Sequence, residues 1–155
     1  MTVSPATDRQ GSGSGASGVL YTPELLALAA GLANYPMDAS YPLQGTARSR
    51  VCGSIVFAAL MLDEDTRVEG IGLRVSACAI GQAAAAVFAR GAQGRPTTQL
   101  ANARDEIACW LNGAKDVPDW PGMAALIPAL PYPARHPAIL LPWDAALNAL
   151  QAGPR

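Results

Sequence analysis

The chain has 155 residues, half of them hydrophobic and 15% charged, with a net charge of −1; this is enough apolar substance for one packed domain and excludes disorder throughout. Ten of its 11 basic residues are arginines, scattered without a basic stripe, which argues against nucleic acid as the main partner. The longest wholly apolar run, Ile55 to Leu62, has eight residues, far short of the roughly 20 that cross a bilayer as a helix.

Residues 1–18 are rich in Ser, Gly, Ala and Thr and include the tract Gly11-Ser12-Gly13-Ser14-Gly15. They read as a flexible tail, and they lack the apolar stretch of a secretory signal. The folded domain is expected over 19–155. Thr22-Pro23-Glu24 has the chemistry of a helix start: a capping hydroxyl, a proline suited to the first turn and a carboxylate for the positive end of the dipole. Leu25, Leu28, Ala29 and Leu32 follow at helical spacing, and Pro36 sets the limit of that helix. After a loop, Gln44 to Arg50 reads as a short strand. Ser54 to Leu62 reads as a strand apolar on both faces, Asp63-Glu64-Asp65 as a turn, and Arg67 to Ser76 as an alternating strand. The short connection makes these two an antiparallel hairpin.

Cys78 to Arg90 is predicted as a helix of small residues that ends at Gly91 and Gly94. A third helix starts at Thr97 or Thr98, presents Leu100, Ala103, Ile107 and Trp110/Leu111 on one face, and ends at Asn112-Gly113. Val117 to Pro142 holds seven of the 13 prolines and reads as loop with one short helix at Met123 to Ile127. The last helix is expected over Ile139 to Leu150, with Pro142 near its first turn and Trp143 as a packing residue. The order of elements predicts an α+β fold, a small antiparallel three-stranded sheet with four to five helices packed mainly on one face.

The chemistry is concentrated in three cysteines and one histidine. Three thiols with no export signal fit a reducing, cytoplasmic setting instead of a disulfide framework. Cys52 precedes the outgoing strand of the hairpin and Cys78 follows the returning one. Antiparallel pairing therefore brings them to the same end, Cys78 at the amino-terminus of the small-residue helix. Two converging thiols are a soft ligand pair suited to zinc or iron–sulfur chemistry. The bland alternative for each is a small buried hydrophobe, and that is the reading for Cys109 beside Trp110. His136 has no sequence neighbour to orient it, and its bland reading is a solvated loop histidine. One histidine without such a partner does not suggest a hydrolase, and no enzymatic turnover is expected.

Leu20-Tyr21, Val51-Cys52-Gly53-Ser54, Cys78-Ala79-Ile80-Gly81-Gln82-Ala83, and Pro133-Ala134-Arg135 with Leu141-Pro142-Trp143-Asp144-Ala145-Ala146-Leu147 occur in an order and spacing that resembles the U-type iron–sulfur cluster assembly scaffolds, the family of IscU, SufU and the amino-terminal domain of NifU. The resemblance runs from Leu20 to about Leu150. It implies a scaffold that binds iron or an iron–sulfur cluster, takes sulfur from a cysteine desulfurase, and works with chaperone and recipient proteins. Some members hold zinc instead. In that family three cysteines and an aspartate hold the cluster. Cys52 and Cys78 match the first two cysteines, Ser54 stands at the aspartate position and Ala138 at the third cysteine. His136, two residues before Ala138, is the candidate replacement ligand. Ser54 is a candidate hydrogen-bond donor to cluster sulfur, and Arg135 is carried over as a cofactor-binding residue. An interaction module of the assembly machinery that has lost cluster building is the alternative. The outer face of the doubly apolar strand would then take a partner or a second copy of the chain.

Overall fold

A computed structural model describes residues 20–155; the flexible tail expected over 1–18 lies outside the described residues. The described chain is α+β, as expected. Helix α1 (Pro23–Gly31) is followed by a 3-10 turn (Leu32–Asn34), and strands β1 (Leu43–Arg48), β2 (Ile55–Leu62) and β3 (Val68–Ser76) come next. Helices α2 (Ala79–Ala92) and α3 (Thr98–Leu111), 3-10 segments at Met123–Ala129 and Pro133–Arg135, and helix α4 (His136–Ala152) complete the order. None of the described helices is long and apolar enough to cross a membrane.

Local chemistry sets the first boundary. The Thr22 hydroxyl accepts from the Leu25 amide at 3.1 Å, with Pro23 in the first turn, so the expected cap forms. The sheet is antiparallel in the order β1-β2-β3. Its hairpin register runs from Ile55 opposite Ser76 to Leu62 opposite Val68, with an irregularity at Met61/Leu62. On one face, Val56, Ala58 and Leu60 meet the helices and are fully buried. Helix α4 lies across β1 and β2. A side chain at Gly45 would meet backbone atoms of Ala145 and Ala149, so this glycine lets helix and strand backbones touch.

The other face of β3 carries Gly70 and Gly72, both buried. Tyr41 covers Gly70, and the Pro36–Asp38 backbone covers Gly72. The Leu73 amide also donates to the Tyr35 carbonyl at 2.9 Å. The loop after α1 thus shields this edge strand.

Two helix boundaries differ from expectation. Gly91 does not end α2 but lies inside it, where a side chain would collide with the Trp120 indole. The positive-φ glycine beyond the helix is Gly94, at 79°. Helix α4 begins at His136, three residues early, because Pro137 takes the first-turn position expected of Pro142. Pro142 is therefore interior, and one helical hydrogen bond is absent there. Trp143 is fully buried as expected, its ring edge-on to Phe88 and to Trp120 with centroids 5.3 Å apart in each pair.

Candidate functional site

The turn between β1 and β2 is closed by its own backbone. The Ser49 amide donates to the Ser54 carbonyl at 2.9 Å, and the Gly53 amide donates to the Ser49 carbonyl at 3.0 Å. Gly53 has φ of 71°, the left-handed conformation that glycine adopts without strain. This turn holds Cys52 at its exposed corner. The Cys52 sulfur lies 3.1 Å from the Ser54 hydroxyl, and the Cys52 amide donates to the Ser49 hydroxyl oxygen at 3.4 Å. Both serines are buried. Hydrogen bonds from Ser49 first and Ser54 second hold the Cys52 thiol below the ordinary cysteine pKa, against a smaller opposing effect of burial.

Cys78 occupies the cap position of α2, with φ of −67° and ψ of 173°. Its carbonyl accepts from the Gln82 amide at 3.0 Å, and the Gln82 side-chain amide donates to the Ala77 carbonyl, also at 3.0 Å. The exit from β3 is therefore fixed on both sides of the cysteine. Because Ile55 pairs with Ser76, the residues just before β2 and just after β3 share one end of the hairpin. Cys52, Ser54, Ser76, Cys78 and Arg135 line a single open cleft of about 270 Å³ there. Four of the five residues singled out in the sequence thus come together.

His136 is turned elsewhere. Its Nε2 lies 3.0 Å from the Leu130 carbonyl and 3.3 Å from the Ala129 carbonyl. Carbonyls only accept, so Nε2 carries a proton and donates to them. The ring lines a neighbouring cleft with Arg48, Arg50 and Arg104. Among the described residues no group of three or more His, Cys, Asp and Glu side chains is placed to hold a metal ion. Ala138, at the third-cysteine position of the resemblance, is buried, and its Cβ faces the bare Cα of Gly81 at the start of α2.

Cys109 is a correction: it is exposed, not core. The buried positions of α3 are Leu100, Ala103, Ile107 and Trp110. At about 100° per residue, position 109 lies nearly opposite 107. Sequence reasoning missed Ser49, whose hydroxyl acts on the Cys52 thiol. The available signal was a serine five positions before Ser54, bracketing a Cys-Gly pair. It also missed the gathering of Arg104 with Arg48 and Arg50, which lie far from it along the chain.

What the cleft presents chemically is two thiols, two serine hydroxyls and a guanidinium. This is a soft, nucleophilic pair with a cation beside it, able to bind a soft metal or to carry sulfur.

The comparisons with known proteins fall on the same fold. No family model and no curated protein sequence matches the chain. Among solved structures, the amino-terminal part of a nitrogen-fixing NifU-like protein from Brucella abortus superposes with a TM-score of 0.77 at 29% identity, covering 88% of this chain and 95% of that one. A proposed iron–sulfur cluster assembly scaffold protein for the SUF system of the thermophile Fervidobacterium islandicum AW-1 gives 0.75 at 17% identity, covering 84% and 96%. A hypothetical protein gives 0.66 at 19% identity, covering 82% and 96%. The resemblance to the U-type scaffolds read from the sequence holds in three dimensions.

Proposed function

We propose that this protein is a scaffold for iron–sulfur cluster assembly, on which iron or a nascent cluster is held as cargo by Cys52 and Cys78. The observation that carries the reading is the convergence of these two thiols on one cleft at the end of the β2–β3 hairpin, in a fold like that of the NifU-like and SUF-system proteins. Both residues can supply thiolates, the ligands that iron–sulfur chemistry requires. Ser54 would donate to cluster sulfur, and Arg135 would offset the negative charge of a thiolate-bound cluster. Two protein ligands leave two positions of a tetrahedral iron open, a coordination suited to handing the cluster on. His136 enters this set only if its ring leaves the Ala129 and Leu130 carbonyls or coordinates through Nδ1.

The partners implied are a cysteine desulfurase as sulfur source, and recipient or chaperone proteins downstream, in the reducing cytoplasm. Sulfur carried as a persulfide on Cys52 or Cys78 would be group carriage, not enzymatic turnover. Anaerobic reconstitution with ferrous iron and sulfide tests the reading. The wild type should develop visible absorbance, and Cys52→Ala and Cys78→Ala should each lose most of it. An unchanged spectrum in both variants overturns the proposal.

One observation favours a second reading. The described residues hold no third ligand in place, which suits an interaction module that binds the assembly machinery without building clusters. Absence of absorbance in the wild type, combined with recovery of a desulfurase in a pull-down, would support it. Metal analysis of protein purified without oxygen separates either case from a zinc-binding variant.

A further inference from the structure

Beside its thiol end the fold gathers three arginines from two distant segments of the chain. Arg48 and Arg50 flank the entry to the Ser49–Ser54 turn, and Arg104 of α3 and His136 of α4 face the same open cleft, of about 480 Å³. That volume lies within the range of small-molecule sites. Asp144 is the one carboxylate in its wall and is already paired with Arg104 at 2.8 Å. This is the only ion pair among the described residues, so Arg48 and Arg50, both exposed, stand ready for an outside anion.

The basic cleft and the thiol cleft share their dividing wall. Ser49, Arg50 and Val51 line the first, while Cys52, Gly53 and Ser54 line the second. Arg135 and His136, consecutive in sequence, are likewise split between the two. A cleft lined by guanidinium groups therefore adjoins the cleft that presents Cys52 and Cys78.

We infer that the basic cleft seats the carboxylates of a small acidic thiol, a cysteine-containing peptide of two or three residues, whose sulfur fills a coordination position left open beside Cys52 and Cys78. Guanidinium groups favour carboxylates over neutral groups by charge and by paired hydrogen bonds. An extended tripeptide spans roughly 10 Å, enough to reach across one turn. On coordination the thiol S–H bond breaks, its proton leaves to solvent and the sulfur lone pair forms the bond to iron, with no change of oxidation state. The sulfur half of this inference rests on the scaffold reading, whereas the carboxylate half rests on the cleft alone.

Two measurements keep the halves distinct. Metal-free protein is titrated with S-methylglutathione, which keeps the carboxylates and blocks the sulfur, and binding is read from amide chemical shifts. Saturable shifts around Arg48 and Arg50 are expected, with Kd raised at least tenfold in the Arg48→Glu/Arg50→Glu variant. No binding, or equal binding by the variant, overturns the inference. Anaerobic reconstitution is then compared in reduced glutathione and in 2-mercaptoethanol. Glutathione should support the visible absorbance at a concentration at least tenfold lower than the neutral thiol, and the double variant should lose that advantage only. Equal support by both thiols overturns the sulfur half. Absorbance with neither thiol overturns the scaffold reading, and with it the sulfur half, while the metal-free titration still decides the carboxylate cleft.

Discussion

Cys52 differs from the other thiols in what surrounds its sulfur. Two buried serine hydroxyls approach it, and they favour its deprotonated form. With the folded pKa below the ordinary value, thiolate is populated at lower pH in the native state than in the unfolded chain. Alkylation of Cys52 by iodoacetamide should therefore reach half its maximal rate at lower pH in native protein than in urea. Ser49→Ala and Ser54→Ala should each move that midpoint upward, as read by mass spectrometry of the Cys52 peptide; an unmoved midpoint in both variants would show that the hydroxyls do not govern the thiol. A second residue prediction concerns Ala138. Its Cβ lies close to Gly81 across the α2–α4 contact, with the Ala77 Cβ filling the space a glycine side chain would take. Gly81 is one turn into the helix that Cys78 caps, so a thiol at 138 starts within about one helical turn of Cys78. Ala138→Cys should slow the loss of cluster absorbance to a chelator about tenfold, roughly 1.4 kcal/mol on the barrier, since a third thiolate is one more soft ligand bond that must break before the metal leaves. Unchanged chelation kinetics would place position 138 outside the cargo site. At this scale sequence reasoning reached the meeting of Cys52 with Cys78, because strand pairing alone dictates it. It could not reach the direction of the His136 ring, which is set by two carbonyls six and seven residues earlier. Nor could it fix the phase of Cys109, where one step around a helix separates core from solvent.

Among the elements, the hairpin and α4 do most to place the site. The hairpin was legible because its strands are apolar or alternating and its turn is short and acidic. The start of α4 was not, because two prolines compete for the first-turn position and only packing chooses Pro137 over Pro142. The contact between α4 and β1 gives a prediction. A Cβ on Gly45 would lie 2.3 to 2.8 Å from backbone atoms of Ala145 and Ala149. Neither neighbour can rotate away, since both are main chain. Gly45→Ala should therefore force helix and strand apart and destabilise the protein by about 3 kcal/mol or more, at the upper end of overpacking costs. Urea unfolding measures this. A loss below about 1 kcal/mol would mean that α4 is free to slide along the sheet. The same displacement would shift His136 and the 3-10 turn bearing Arg135, so Gly45→Ala should also weaken binding at both clefts although it touches neither.

Taken whole, the molecule puts opposite charge at the two ends of its hairpin. The Asp63-Glu64-Asp65 turn lies at one end; at the other, Arg135 lines the thiol cleft and Arg48 and Arg50 line the cleft beside it. Composition could not reveal this, because a net charge of −1 is a total over the whole chain and says nothing of where the charges lie. The outer face of β2 is a matter of whole-molecule packing too. Its apolar residues suggested a partner or a second copy. In the folded chain the Arg74 guanidinium stacks over the Phe57 ring at 4.3 Å, Tyr41 covers Gly70 and the Pro36–Asp38 backbone covers Gly72. The large hydrophobic side chains that remain exposed among the described residues are Leu26, Val51, Val117, Ile127 and Tyr132, borne on five different segments and none of them on the sheet. A stable homodimer needs a contiguous apolar core to its interface, and these residues do not make one on β2. Sedimentation equilibrium across micromolar concentrations should therefore return a mass near 16.0 kDa. Arg74→Ala tests the cause: uncovering Phe57 removes the cation from its ring, and self-association that rises in this variant alone would identify Arg74 as the residue that keeps the sheet face closed. A wild-type mass of twice the chain would instead mean that the shielded face is not where the copies meet.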